Sequence, residues 1–192
     1  MPVSPKSTLV KFLAVVCIYA IAIIYQGYQY GQSDQSQIIP VIYAQDHPGA
    51  LEKDHYVNAY LKSGINERTI FHAVLRRIGY DIPFMVFLWH ALASITLIWA
   101  WVSIAGLFIK NQALQWLTIA LILTLGFHTA TGSNEVYYNQ FVPSLAAKAF
   151  ASWGIYFWLT KKYQWWILLL ILAGYLQPLV GLQLFIVTST AL

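Results

Sequence analysis

The sequence predicts an all-α protein: a polytopic transmembrane bundle of five or six spans, with an extracytoplasmic first loop that contains an amphipathic helix. Three observations predict it. Of the 192 residues, 59% are hydrophobic and only 9% charged, whereas a soluble domain carries roughly 25% charged residues. The apolar residues gather into runs able to bridge a hydrocarbon core of about 30 Å, which takes about 20 residues of helix. Six of the seven acidic residues, Asp34, Asp46, Glu52, Asp54, Glu67 and Asp81, fall between residues 31 and 81, so one polar loop stands apart from an apolar remainder. One bundle takes up residues 1–192 as a single transmembrane domain.

The first span, 9–28, follows Lys6 and carries Lys11 near its start. No convincing cleavage site follows, so it reads as a retained signal anchor that leaves the membrane through an aromatic belt of Tyr25, Tyr28 and Tyr30. In the loop, Asp46 to Gly49 is a turn. Ile70, Phe71, Val74, Leu75 and Ile78 then recur at helical spacing before Gly79, the pattern of an amphipathic helix lying along a membrane surface. Spans follow at 83–109, closed by Lys110, and at 114–130. The next, 144–160, opens on Pro143 with Ser144 as N-cap and stops at Lys161 and Lys162. The last apolar run is too long for a simple crossing at 1.5 Å per residue, and Pro178 breaks it into 163–177 and 178–192, as two short helices or a re-entrant pair.

Basic residues mark cytoplasmic flanks. Under alternation Lys6, Lys11, Lys110, Lys161 and Lys162 share one side, so the protein is expected in the cell membrane with its N-terminus cytoplasmic. Loop 31–81 and residues 133–143 then share the extracytoplasmic side. The net charge of +4 is scattered over span ends and forms no patch, which argues against nucleic acid. Cys17 is the only cysteine, so neither a disulfide framework nor a Cys-based zinc site is available within one chain.

Candidate chemistry concentrates in the loop. Asp34 lies a few residues from the membrane surface, where a carboxylate can act as general base on an acceptor hydroxyl or hold a metal near a phosphate; the structural alternative is that Ser33 and Asp34 cap a short helix. Asp46-His47 and Asp54-His55 pair a carboxylate with an imidazole, a combination that can bind a divalent metal. No resident cofactor is expected. Arg76 and Arg77 end the amphipathic helix, where they complement its negative pole or clamp a phosphate. Lys148 heads a polar stripe with Ser152 and Tyr156 that could face an anionic substrate or snorkel to the interface, with Glu135 as its candidate partner. His90 and His128 invite a haem reading but sit at unequal depths, so hydrogen bonding between helices is the expected role. Ala147, Ala151 and Gly154 share a face suited to close helix contact.

One helix, a long extracytoplasmic loop with an early Asp and an amphipathic helix, and then closely packed spans: this layout resembles the N-terminal part of GT-C-type glycosyltransferases in bacterial polytopic membrane proteins. The stretch Leu176-Gln177-Pro178-Leu179-Val180-Gly181-Leu182 is similar to a His-Pro-containing turn of such proteins, with Gln177 in place of the His. The resemblance implies transfer from a polyprenyl-phosphate-linked sugar, with Asp34 catalytic. On an enzymatic reading of the residues, Asp54 assists Asp34, and Lys148, Arg76, Arg77 and Glu135 are the candidates for holding the substrate and its phosphate. Enzymes of this kind have further spans, so the resemblance also implies a continuation or other membrane subunits. Two non-enzymatic alternatives fit the same sequence: an accessory subunit and a small transporter-like protein.

Overall fold

The computed structural model describes residues 5–66, 68–125 and 137–190, and among these the chain is all-helical, with nine helices and no strand. They are α1 (Pro5–Gln26), α2 (Asp34–Asp46), α3 (His55–Lys62), α4 (Thr69–Ile78), α5 (Pro83–Phe108), α6 (Gln112–Leu125), α7 (Pro143–Leu159), α8 (Tyr163–Leu176) and α9 (Pro178–Thr190). Thr8–Gln26 within α1, and α5, are long and apolar enough to cross a membrane; α6, α8 and α9 are shorter apolar helices.

Local chemistry explains most boundaries. Pro83, Pro143 and Pro178 each open a helix, because a ring that fixes φ and lacks an N–H costs nothing in a first turn. The N-cap of α7 is therefore Val142, not Ser144, and no side chain caps it. Ser33 does occupy the N-cap of α2, but its side chain makes no capping bond. Gly79 ends α4 in the left-handed region at φ 78, a conformation that a Cβ disfavours. Asp54, by contrast, caps α3 through a 2.9 Å bond from the Val57 amide.

α7 lies at the centre of the bundle, packed on α5, α8 and α9, while α1 rests on α5 and α6. Its small face works as the sequence suggests: Ala147 and Ala151 are buried against Ala173, Val180 and Leu184. A Cβ on Gly154 would meet Leu184 of α9 and Leu169 of α8. α8 and α9 fold back on each other as an antiparallel hairpin, since Gly174 and Gly181 touch backbone to backbone across the break at Gln177. Two short helices thus flank the break at Pro178, as one arm of the sequence expectation has it.

Helices α2, α3 and α4 form a polar lobe over one end of this bundle, with α4 reaching α8. Hydrogen bonds sew the lobe to residues 137–142. The Gln29 amide donates to the Asn139 carbonyl (3.0 Å) and Gln35 Nε2 to the Phe141 carbonyl (2.8 Å). The aromatic belt is mostly turned inward. Tyr25 is exposed, but Tyr28 packs edge-on against Phe87 and the Tyr30 hydroxyl donates to the Tyr80 carbonyl at 2.7 Å. At the other end, Lys11, Gly106, Gln112 and Tyr156 border one cavity, so the start of α1, the α5–α6 turn and the end of α7 lie together.

Outward faces of the bundle are apolar: Val10, Ile24, Leu117, Ile171, Phe185 and Val187 are all more than 45% exposed. Exposed large apolar side chains on so many helices are the pattern of a surface that meets lipid or protein.

Candidate functional site

Helix α4 divides two cavities of opposite character. At 100° per residue, Ile70, Phe71 and Val74 fall on one side, and Thr69, His72, Ala73 and Arg76 on the other. The first set borders a groove of about 500 Å³ that α4 shares with α5, α7 and α8. The second borders a cavity of about 190 Å³ that also includes Gln45 and Tyr60.

The groove carries no charged lining residue. Trp89, Leu92 and Ala93 of α5 form one wall, and Leu172 and Leu176 of α8 another. Phe141 closes it near α4, its ring 5.4 Å from that of Phe71. Arg77, three residues after Val74 and four after Ala73, falls at the border between the two faces and is exposed, outside the groove lining. Arg77 makes no ion pair with a described residue. Arg76 is committed: its Nε donates to Asp46 Oδ1 at 2.8 Å, and a terminal nitrogen contacts the same oxygen.

Asp34 is the first residue of α2, half-buried, and its carboxylate has no hydrogen bond or ion pair with a described residue. The neighbouring Gln35 is buried, accepting from the Gly31 amide (2.8 Å) while donating to the Phe141 carbonyl. The start of α2 is in this way tied to a groove wall. Asp54 is at the N-cap of α3, as described, and does not line the groove. Lys148 lies 4.4 Å from the centre of the Tyr138 ring, whereas Ala146, Ala149 and Phe150 face the groove from the other side of α7. Ser152 accepts from Trp101 Nε1 at 3.1 Å, and Tyr156 borders the cavity at the far end, so the polar stripe faces α5 and not the groove. Glu135 and His128 lie outside the described residues.

His90 is fully buried on α5. Its Nε2 lies 2.9 Å from the Tyr138 carbonyl, which only accepts, so Nε2 carries the proton; Nδ1 then accepts from the Tyr19 hydroxyl at 3.1 Å. Ser94, on the next turn, accepts from the Tyr137 hydroxyl at 3.1 Å. Both imidazole nitrogens are thus used in joining α1, α5 and residues 137–138, as expected for hydrogen bonding between helices.

His72 is the opposite case. It is buried beneath α4 with its ring 4.9 Å from that of Tyr60, and neither nitrogen has a partner. Burial, and then the Arg68 guanidinium, push its pKa down to about 4, which keeps it neutral near pH 7.

The acid–imidazole pairs of the loop are engaged separately. Asp46 holds Arg76, and His47 stacks on Tyr43 and bonds its carbonyl at 3.0 Å. No cluster of three or more His, Cys, Asp or Glu with metal-binding geometry occurs among the described residues.

His72, Gln35 and the groove are absent from the sequence reading. The i, i+3, i+4 pattern of α4 is visible in the chain, but the groove also needs Ala146 and Ala149 of α7 and Leu172 and Leu176 of α8, which are distant in sequence. No family model, curated protein or solved structure matches the chain.

Proposed function

We propose that this is a multi-pass membrane protein whose groove takes the isoprenoid chain of a polyprenyl-phosphate sugar, in the manner of the GT-C-type glycosyltransferases that its layout resembles. The observation that carries this reading is the groove itself: about 500 Å³, without a charged wall, and lying under an amphipathic helix that ends in Arg77. An apolar chain is held there by van der Waals packing against a shaped surface, which must exceed the entropy lost on ordering it, and a phosphate at its head is within reach of the guanidinium at the end of the helix. The belt of exposed apolar residues and the two long apolar helices support the membrane setting, with the lobe of α2–α4 outside the cytoplasm.

In the transfer step Asp34 takes the proton of an acceptor hydroxyl as its oxygen bonds to the sugar's anomeric carbon. The bond from that carbon to the phosphate oxygen breaks, and polyprenyl phosphate leaves with the electron pair, its charge offset by Arg77. Lys148, turned toward Tyr138, has no part in this version of the site.

Transfer of labelled sugar from polyprenyl phosphate should be measured in membranes bearing wild-type, Asp34→Asn or Ala149→Phe protein. We expect Asp34→Asn to lower turnover by about 10²-fold or more, the usual scale for loss of a general base. Ala149→Phe, which fills the groove, is expected to weaken retention of polyprenyl phosphate. Unchanged turnover in both variants would overturn the enzymatic reading.

A second reading is favoured by the engagement of Asp54 and Arg76 elsewhere: an accessory subunit that holds the lipid carrier for a partner. It predicts that Ala149→Phe loses the lipid while Asp34→Asn transfers normally.

A further inference from the structure

The cavity at the opposite end of the bundle is of a different kind. It measures about 340 Å³ and lies among α1, α5 and α6, with Tyr156 contributed by α7. Five of its lining residues carry hydrogen-bond donors: Lys11, Trp99, Trp116, Tyr156 and Gln112, of which Lys11 and Gln112 are exposed. None of these five side chains makes a hydrogen bond or ion pair with a described residue, although Trp99 does touch the Phe12 ring. No described carboxylate lines the cavity.

A cavity with one cation, several unused donors and no acidic group suits an anion rich in acceptor oxygens. Its surroundings say which one. Ser103 and Gln115, which donate to the Trp99 and Ile109 carbonyls, also line it, as do Val15, Val102 and Leu107, and Leu107 and Phe108 are 45% and 70% exposed beside it, a surface on which hydrocarbon chains can lie. Indole rings with a free N–H are favoured where headgroups meet hydrocarbon. Free phosphate would use the donors and leave the apolar flank uncovered.

We infer that this cavity is a binding site for the phosphate of an anionic phospholipid, with Lys11 and Tyr156 as its principal ligands and the acyl chains lying along Leu107 and Phe108. The inference rests on the membrane setting proposed above but not on the groove or on sugar transfer. The site lies at the end that carries Lys11, and it draws on the second half of α5, from Trp99 to Leu107, whereas the groove draws on Trp89 to Thr96.

The test uses the full chain in mild detergent, with native mass spectrometry after addition of phosphatidylglycerol, phosphatidylcholine or inorganic phosphate. Wild-type protein should retain one phosphatidylglycerol in preference to phosphatidylcholine, and Lys11→Gln with Tyr156→Phe should reduce that retention about tenfold, the scale of a lost charge-assisted bond. Lys110→Gln, outside the cavity, should retain it as wild type does and serves as the folding and charge control. Equal retention of the two lipids, equal retention by the double variant, or displacement of the lipid by millimolar phosphate would each overturn the site. Absence of the chain from the membrane fraction would instead overturn the membrane setting, so the two failures are separable.

Discussion

Two buried histidines show how much a residue's meaning depends on what surrounds it. His90 has a donor and an acceptor for its two nitrogens, and removing it would orphan the Tyr19 hydroxyl and the Tyr138 carbonyl. His72 has neither, and an unpaired buried polar group costs about 1–3 kcal/mol. With its pKa at about 4 when folded and about 6.5 when unfolded, the unfolded chain binds the extra proton between those values. Stability contributed by this residue is therefore complete above about pH 6.5 and falls as the pH drops toward 4, by up to about 3 kcal/mol. His72→Phe should be at least as stable as wild type at pH 7 and should lose less on acidification to pH 4.5, measured by thermal unfolding in detergent. Hydrogen bonding between helices is legible for His90, because an imidazole inside a 26-residue apolar helix must find partners within the bundle. His72 is not legible in this way: its burial comes from the packing of α4 over Tyr60, and nothing in the local run Thr69–Ile78 announces it.

Elements were more readable than residues wherever proline or glycine marks an end. Pro83, Pro143, Pro178 and Gly79 place boundaries within a residue or two of where the sequence puts them. Helix α3 was missed because its eight residues show no long apolar period, although Asp54 ahead of Val57 and Leu61 is a capping signal. The hairpin of α8 and α9 depends on a contact that sequence alone does not reveal, the meeting of Gly174 and Gly181. A Cβ on Gly181 would fall 2.8 Å from the Gly174 backbone nitrogen and nearer still to its Cα, and backbone cannot move aside without parting the helices. A Cβ on Gly154 meets the end of the flexible Leu184 side chain at 3.0 Å, and Leu169 Cβ only at an ordinary 3.7 Å. Gly181→Ala should therefore cost about 1–3 kcal/mol and Gly154→Ala clearly less, read as the difference in unfolding midpoint in detergent.

Across the whole molecule, carboxylates are sorted by end and basic residues are not. The described carboxylates, Asp34, Asp46, Glu52, Asp54 and Asp81, all belong to the lobe or its borders together with Lys53, Lys62, Arg68, Arg76 and Arg77, while Lys11, Lys110, Lys161 and Lys162 flank helices at the other end with no described acid beside them. The topology proposed above follows from the lysines at the span ends. In a Cys17→Ser background, Lys53→Cys should react with an impermeant maleimide on intact cells, and Lys161→Cys should react only after the membrane is opened. The reverse result would place the lobe in the cytosol and remove the proposed acceptor site with it.

The shortness of the α8–α9 hairpin bears on the lipid itself. Fourteen residues of α8 rise about 21 Å, against a hydrocarbon thickness of about 30 Å, so a tip that starts from the Lys162 end stops well short of the opposite surface. α4 reaches α8 near that tip. In a bilayer the headgroups there would be drawn inward, and under the proposed function a long-chain phosphate arriving from the outer leaflet would find the membrane already dimpled beside the groove.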